Sequence, residues 1–219
     1  MIIVFGGIKG GSGKTTLATN LTVMRSSAGK KVLLVDADEQ KSSCDWAQQR
    51  EDSENQTKFT TIELSGKAVN NQIQKMAKDY DDVIIDVGGR DTTSQRSALT
   101  IADIFVIPFK PRSLDIWTVG PLRNMIAEIK SVNSDLRCIA VINQADSRGE
   151  DNQSTMEVLK EFEDLECVPC TIGYRKAFGN AASEGLGVSE LKTKDIKSIT
   201  EMTCLYDYIY TPKACSLLS

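Results

Sequence analysis

Lys9-Gly10-Gly11-Ser12-Gly13-Lys14-Thr15-Thr16 is the stretch that decides how the rest of the chain is read. It follows a short apolar run, residues 1–5, bounded by Gly6-Gly7, and it opens a segment, residues 14–28, that reads as a helix stopped by Gly29. Strand, glycine-rich loop and helix in that order form a cradle for phosphate. The glycines let successive backbone N–H groups turn inward, and the helix N-terminus adds partial positive charge where phosphate oxygens would sit. Gly10, Gly11, Ser12, Gly13, Lys14, Thr15 and Thr16 are therefore the candidate nucleotide-binding set. Lys14 is placed to bridge the β- and γ-phosphates of ATP, and the Thr15 hydroxyl to reach Mg2+. The strict loop pattern has a glycine where this chain has Ile8.

Two apolar runs further along end in acids. Val32-Leu33-Leu34-Val35-Asp36-Ala37-Asp38 delivers two carboxylates to the carboxyl edge of a buried strand, where α/β proteins bind ligands. Asp38 is the stronger site candidate of the two; Asp36 reads either as a second functional carboxylate or as a strand-end turn residue. Asp82-Val83-Ile84-Ile85-Asp86 repeats the pattern, so Asp86 is the second candidate for a Mg2+-bound water, and Gly88-Gly89 after it permits close backbone approach to a phosphate.

Outward from these stretches the chain alternates. Residues 59–64, 104–109, 136–142 and 168–172 read as strands, and 68–78, 94–101, 114–132, 154–163 and 176–184 as helices. Repeated β/α alternation predicts an α/β fold, a mostly parallel sheet with helices on both faces, and the 219 residues fit one P-loop domain over 1–219. Histidine is absent, which excludes imidazole bases and histidine metal ligands. A net charge of -4 argues against a surface that coats nucleic acid throughout, so any DNA contact must use a local patch. No apolar run is long enough to span a bilayer and no export signal is visible, so a cytoplasmic location without membrane contact is expected, nucleoid-associated if the chain binds DNA. Cys167-Val-Pro-Cys170 reads as two ordinary thiols near a strand, since one pair cannot close a four-ligand zinc site, and Trp46 and Trp117 read as packing residues.

The loop, with Lys9 near its start, resembles the deviant Walker A of the ParA/MinD superfamily. That resemblance implies that Lys9 reaches across a dimer to the partner's nucleotide, as an arginine finger does. The acidic stretch resembles the family's D-x-D-P-Q, which implies that Asp38 helps orient the attacking water and the metal shell; Asp38 and Gln40 match, while Glu39 replaces proline, a change that loosens the turn. Residues 107–115 look like the P-x-x-P-S-x-x-D loop of small plasmid-type ParA proteins. Asn143 matches a position from which members contact adenine, with Gln144 in place of the usual basic neighbour, and residues 171–188 resemble a further family stretch. The resemblance implies an ATPase whose ATP-sandwich homodimer, or a higher assembly, binds DNA non-specifically and is stimulated by a centromere-binding ParB-like partner. Arg175, Lys176, Lys192, Lys194 and Lys197 are candidate DNA contacts. Its alternative is a ParA/MinD-like ATPase that positions a protein complex without DNA. A MinD-like membrane helix is not expected, because residues 203–219 carry one lysine, Lys213; an iron–sulfur reductase is not expected, because the loop that follows Asp86 holds no cysteine. A small-molecule kinase would need an arginine-rich lid that is not apparent.

Overall fold

The computed structural model describes residues 1–53, 58–90, 92–111, 116–146 and 150–211. The elements run β1 (Ile2–Phe5), α1 (Lys14–Ser27), β2 (Val32–Ala37), α2 (Ser42–Asp52), β3 (Thr60–Glu63), α3 (Ala68–Met76) with a 3-10 turn (Ala77–Asp79), and β4 (Asp82–Val87). Then come α4 (Thr93–Leu99), β5 (Ile104–Phe109), α5 (Ile116–Lys130), β6 (Arg137–Ala145), α6 (Asp151–Lys160), β7 (Glu166–Gly173), α7 (Lys176–Ser183) and α8 (Ile196–Tyr210). The strands form one seven-stranded sheet in the order β3-β2-β4-β1-β5-β6-β7, and every pairing is parallel. β2, β4 and β5 are buried along their whole length, as their continuous apolar runs require of strands covered on both faces.

Two apolar layers sandwich the sheet. On one face α3, α4, α5 and α6 pack through Val69, Ile73, Leu99, Leu122, Ile126 and Leu159. On the other, α1, α2, α7 and α8 pack through Leu17, Leu21, Trp46, Ala181, Met202 and Leu205. The expected α/β fold with helices on both faces is what the chain forms. β1 lies centrally, between β4 and β5, and the chain leaves it in one direction for β2 and returns to its other side at β5. The loop after β1 thus opens at the crevice where the winding reverses, the place at which such sheets bind ligands.

Helix α8 was not expected from the sequence. Asp195 caps it, its carboxylate accepting from the Ser198 N–H at 3.0 Å, and Ser198, Met202, Leu205 and Ile209 make a buried stripe at helical spacing. Arg25 on α1 joins α8 to the sheet: its Nε donates to Asp82 at 2.5 Å while its guanidinium lies 4.0 Å from the Tyr210 ring centroid. The thiol reading of Cys170 is corrected. Cys170, on β7, is disulfide-bonded to Cys204 on α8, a partner invisible while α8 was unrecognised; Cys167 remains free. Trp46 is buried and stacked on Phe59, whereas the Trp117 side chain, residues 112–115 of the resembling loop, Asp91 and Lys213 lie outside the described residues.

Candidate functional site

The site is built on three adjoining strand ends. Gly7, Gly11 and Gly13 after β1 take φ values of 149°, 69° and 90°, the last two in the left-handed region where a β-carbon is strained, so the loop's path needs glycine there. Gly13 also caps α1, and a β-carbon on it would collide with Asn143 Nδ2. Lys14, the first helical residue, is 6% exposed, and its ammonium donates to the Lys9 carbonyl at 3.2 Å. Burial holds its pKa below the usual lysine value, while Asp86 and Asp38 pull it back up. A buried ammonium that folds back on its own loop is what a phosphate would draw out.

β4 lies directly beside β2, with Asp86 in register with Asp36, so both buried acids sit in one cross-strand row. Asp86 Oδ2 accepts the Thr15 hydroxyl at 2.6 Å and the Ser43 hydroxyl at 2.8 Å. Burial pushes the Asp86 carboxyl up to about 7, with the Asp36 charge adding to the shift and the two hydroxyls and Lys14 only partly offsetting it. Asp36 is pushed up by burial too, although it accepts the Cys44 N–H at 2.9 Å and the Asp38 N–H at 3.1 Å. Asp36 therefore shapes the turn into α2, while Asp38 beyond it is half-exposed and leans on Gly88, where a β-carbon would lie 3.2 Å from its Oδ1. Gly89 packs on the start of the phosphate loop, since a β-carbon there would come within 2.5 Å of Gly10 Cα. Glu39, in the proline position, is exposed.

The residues fit a Mg2+ ion. Asp86 Oδ1 is buried without a hydrogen-bond partner, beside the Thr15 and Ser43 hydroxyls, which is an all-oxygen donor set with one carboxylate oxygen unspent. Among the described residues no group of three acidic, cysteine or histidine side chains could cage a metal unaided, so the remaining ligands would be phosphate oxygens and water.

Of the sequence candidates, Gly10 to Thr16, Lys14, Asp38, Asp86 and Asn143 come together around one loop. Lys9 stands exposed at the loop's rim. Asn143 is inside β6 rather than at its end, and its Nδ2 donates to the Ser12 carbonyl at 2.7 Å. Arg175 is not a free cation for DNA: its Nε donates to Glu201 at 2.8 Å, and a second guanidinium nitrogen also pairs with that carboxylate. Lys176, Lys192, Lys194 and Lys197 are exposed. Three site residues were missed. Ser43 anchors Asp86; Gln144 donates to the Gly11 carbonyl at 3.0 Å; and Gln95, fully buried, accepts the Gly7 N–H at 2.8 Å. Thr92 and Gln95 have capping-box spacing, so sequence would send the Gln95 side chain back to its own helix rather than across to the loop.

A parallel sheet with helices on both faces, a glycine loop feeding a helix, and a buried lysine facing a strand-end carboxylate define a P-loop nucleotide-binding protein. A family model described as the CobQ/CobB/MinD/ParA nucleotide binding domain matches residues 3–188, and the chain belongs to that family. It is 26% identical over 200 residues to the maintenance of carboxysome distribution protein A of Halothiobacillus neapolitanus, covering 89% of each chain. Protein ParA of Rhizobium radiobacter is 30% identical over 131 residues, 58% of this chain and 56% of that one. Among solved structures, a plasmid partition protein of Borrelia burgdorferi bound to AMPPNP superposes with a TM-score of 0.72 at 19% identity, covering 95% of this chain and 98% of that one.

Proposed function

We propose that this chain is a Mg2+-dependent ATPase that acts as an ATP-governed dimeric switch in DNA partition. The observation that carries the proposal is the Lys14–Thr15–Asp86 arrangement: a buried ammonium, a hydroxyl and a half-satisfied carboxylate converge on a glycine loop at the sheet's switch point. Loop amides and Lys14 would hold the triphosphate, with Thr15 and Asp86 on the Mg2+ side. Bound Mg2+ would neutralise charge on the phosphates. Asp38 is suited to orient the attacking water, because its carboxylate is half-exposed beside Gly88 and accepts the Gln40 N–H at a long 3.3 Å. Lys9, at the exposed rim, would complete the partner's site across a dimer, which couples assembly to nucleotide.

In this reading the ATP dimer binds DNA of any sequence, with Lys176, Lys192, Lys194 and Lys197 as exposed cations, and a centromere-binding ParB-like protein stimulates hydrolysis. The carboxysome distribution relative, matched along 89% of both chains, favours a second reading in which the same switch positions a protein complex. Binding to duplex DNA of arbitrary sequence, at one moderate salt concentration, with ATP, ADP or neither, separates the two. ATP-dependent binding is expected for the partition switch. Indifference to DNA in all three states would leave the protein-positioning reading.

A further inference from the structure

Strand β6 departs from regular pairing at the site. Asn143 pairs with Ile172 of β7 and Ala145 with Gly173, so Gln144 is an extra residue between consecutive partners, a β-bulge. Gln144 also takes φ 55°, one of two non-glycine residues in the left-handed region among the described residues. Adjacent residues of a regular strand point to opposite faces of the sheet. Here the amides of Asn143 and Gln144, neighbours in sequence, reach the same loop: Nδ2 of the first donates to the Ser12 carbonyl at 2.7 Å and Nε2 of the second to the Gly11 carbonyl at 3.0 Å. The bulge is what turns them to one side.

The consequence follows from peptide geometry. A trans peptide holds its C=O and the next residue's N–H in opposite directions, and no peptide here is cis. Pinning the Gly11 carbonyl towards β6 therefore sends the Ser12 N–H away from β6, and pinning the Ser12 carbonyl sends the Gly13 N–H away likewise. Both N–H groups belong to the loop that precedes the α1 N-terminus. Glycine-rich backbone is free to flip such peptides; two side-chain amides remove that freedom before a ligand arrives.

We infer that Gln144, presented by the β6 bulge beside Asn143, is a positioning residue that pre-orients the phosphate-loop amides for a nucleotide polyphosphate. This rests on the ATP-binding reading above and adds a residue to it. Gln144→Asn is the informative variant. Asparagine tolerates φ 55° but is one methylene shorter, so the bulge is kept and the contact to Gly11 is lost. The measurement is MgADP affinity by calorimetric titration of the wild-type chain and the variant, with thermal unfolding of both in the absence of nucleotide. Expected is an affinity about five-fold weaker, the usual worth of one neutral hydrogen bond, with an unfolding midpoint that does not move. Gln144→Lys restores an N–H donor of similar reach and is expected to recover most of the loss. Wild-type affinity in Gln144→Asn, or a loss that appears only together with a lowered unfolding midpoint, overturns the inference alone. A wild-type chain that takes no MgADP overturns the nucleotide reading itself, and the inference with it.

Discussion

Lys14 and Asp86 bring an ammonium and a carboxyl into the interior with too few partners, and a Mg2+-nucleotide bound between them would relieve both costs. Removing the ammonium by Lys14→Ala is expected to weaken ATP binding by at least about ten-fold, as loss of a charged hydrogen-bond donor to phosphate implies; equilibrium titration with a fluorescent ATP analogue checks it. The Asp86 carboxyl gives a pH prediction with a definite sign. Its ordinary value of 3.8 is raised to about 7 in the folded chain, and Asp36 is raised as well, so the folded state holds protons that the unfolded state releases. The share of stability that these two carboxyls contribute to the nucleotide-free, chelator-treated protein should therefore be fullest at low pH and be lost as pH rises through about 7. Asp86→Asn should flatten that slope. Urea denaturation midpoints between pH 5 and 8, on the order of that window, provide the measurement. That Lys14, Thr15 and Asp86 would meet at one loop was legible, because spacing after a strand and before a helix constrains them. Ser43 and Gln95 were not, since a serine and a glutamine with no motif around them gain meaning only from what lies opposite.

Elements differ in how well the chain announces them. β2, β4 and β5 stand out as apolar runs, and Gly29 marks the end of α1 with its φ of 79°. α8 is different: its stripe of Ser198, Met202, Leu205 and Ile209 is periodic but begins on a polar residue and is interrupted by tyrosines and acids that read as surface. It nonetheless closes one face of the sheet. Leu205→Ala, at a fully buried position, is expected to destabilise the chain by about 2–4 kcal/mol, read by denaturant unfolding. At the central crevice, Gly89→Ala should impair nucleotide binding at nearly unchanged fold, because its β-carbon would press into the Lys9–Gly10 backbone. ADP-induced shift of the unfolding midpoint, compared with the shift in the wild-type chain, measures that effect.

The molecule as a whole places the glycine loop at the central crevice with Lys9 exposed at its rim. Lys9→Ala is expected to keep ATP affinity within about two-fold, as for an exposed charge outside the cradle, and to lose ATP-dependent dimerisation or turnover. Light scattering with and without ATP decides it, and a variant that dimerises and hydrolyses as the wild type does would remove the cross-dimer role. The parallel α/β fold, the loop and its two carboxylate strands followed from the amino-acid sequence by itself, because alternation period and motif spacing are properties of neighbours along the chain. The disulfide between Cys170 and Cys204, the Arg175–Glu201 pair and the amides of Gln95, Asn143 and Gln144 around the loop were decided only by tertiary structure. Each joins residues at least 26 positions apart, and the β6 bulge that aims Gln144 exists only against β7. Contacts of that kind are set by how strands register and helices dock, and no local pattern in the chain encodes which distant partner a side chain will meet.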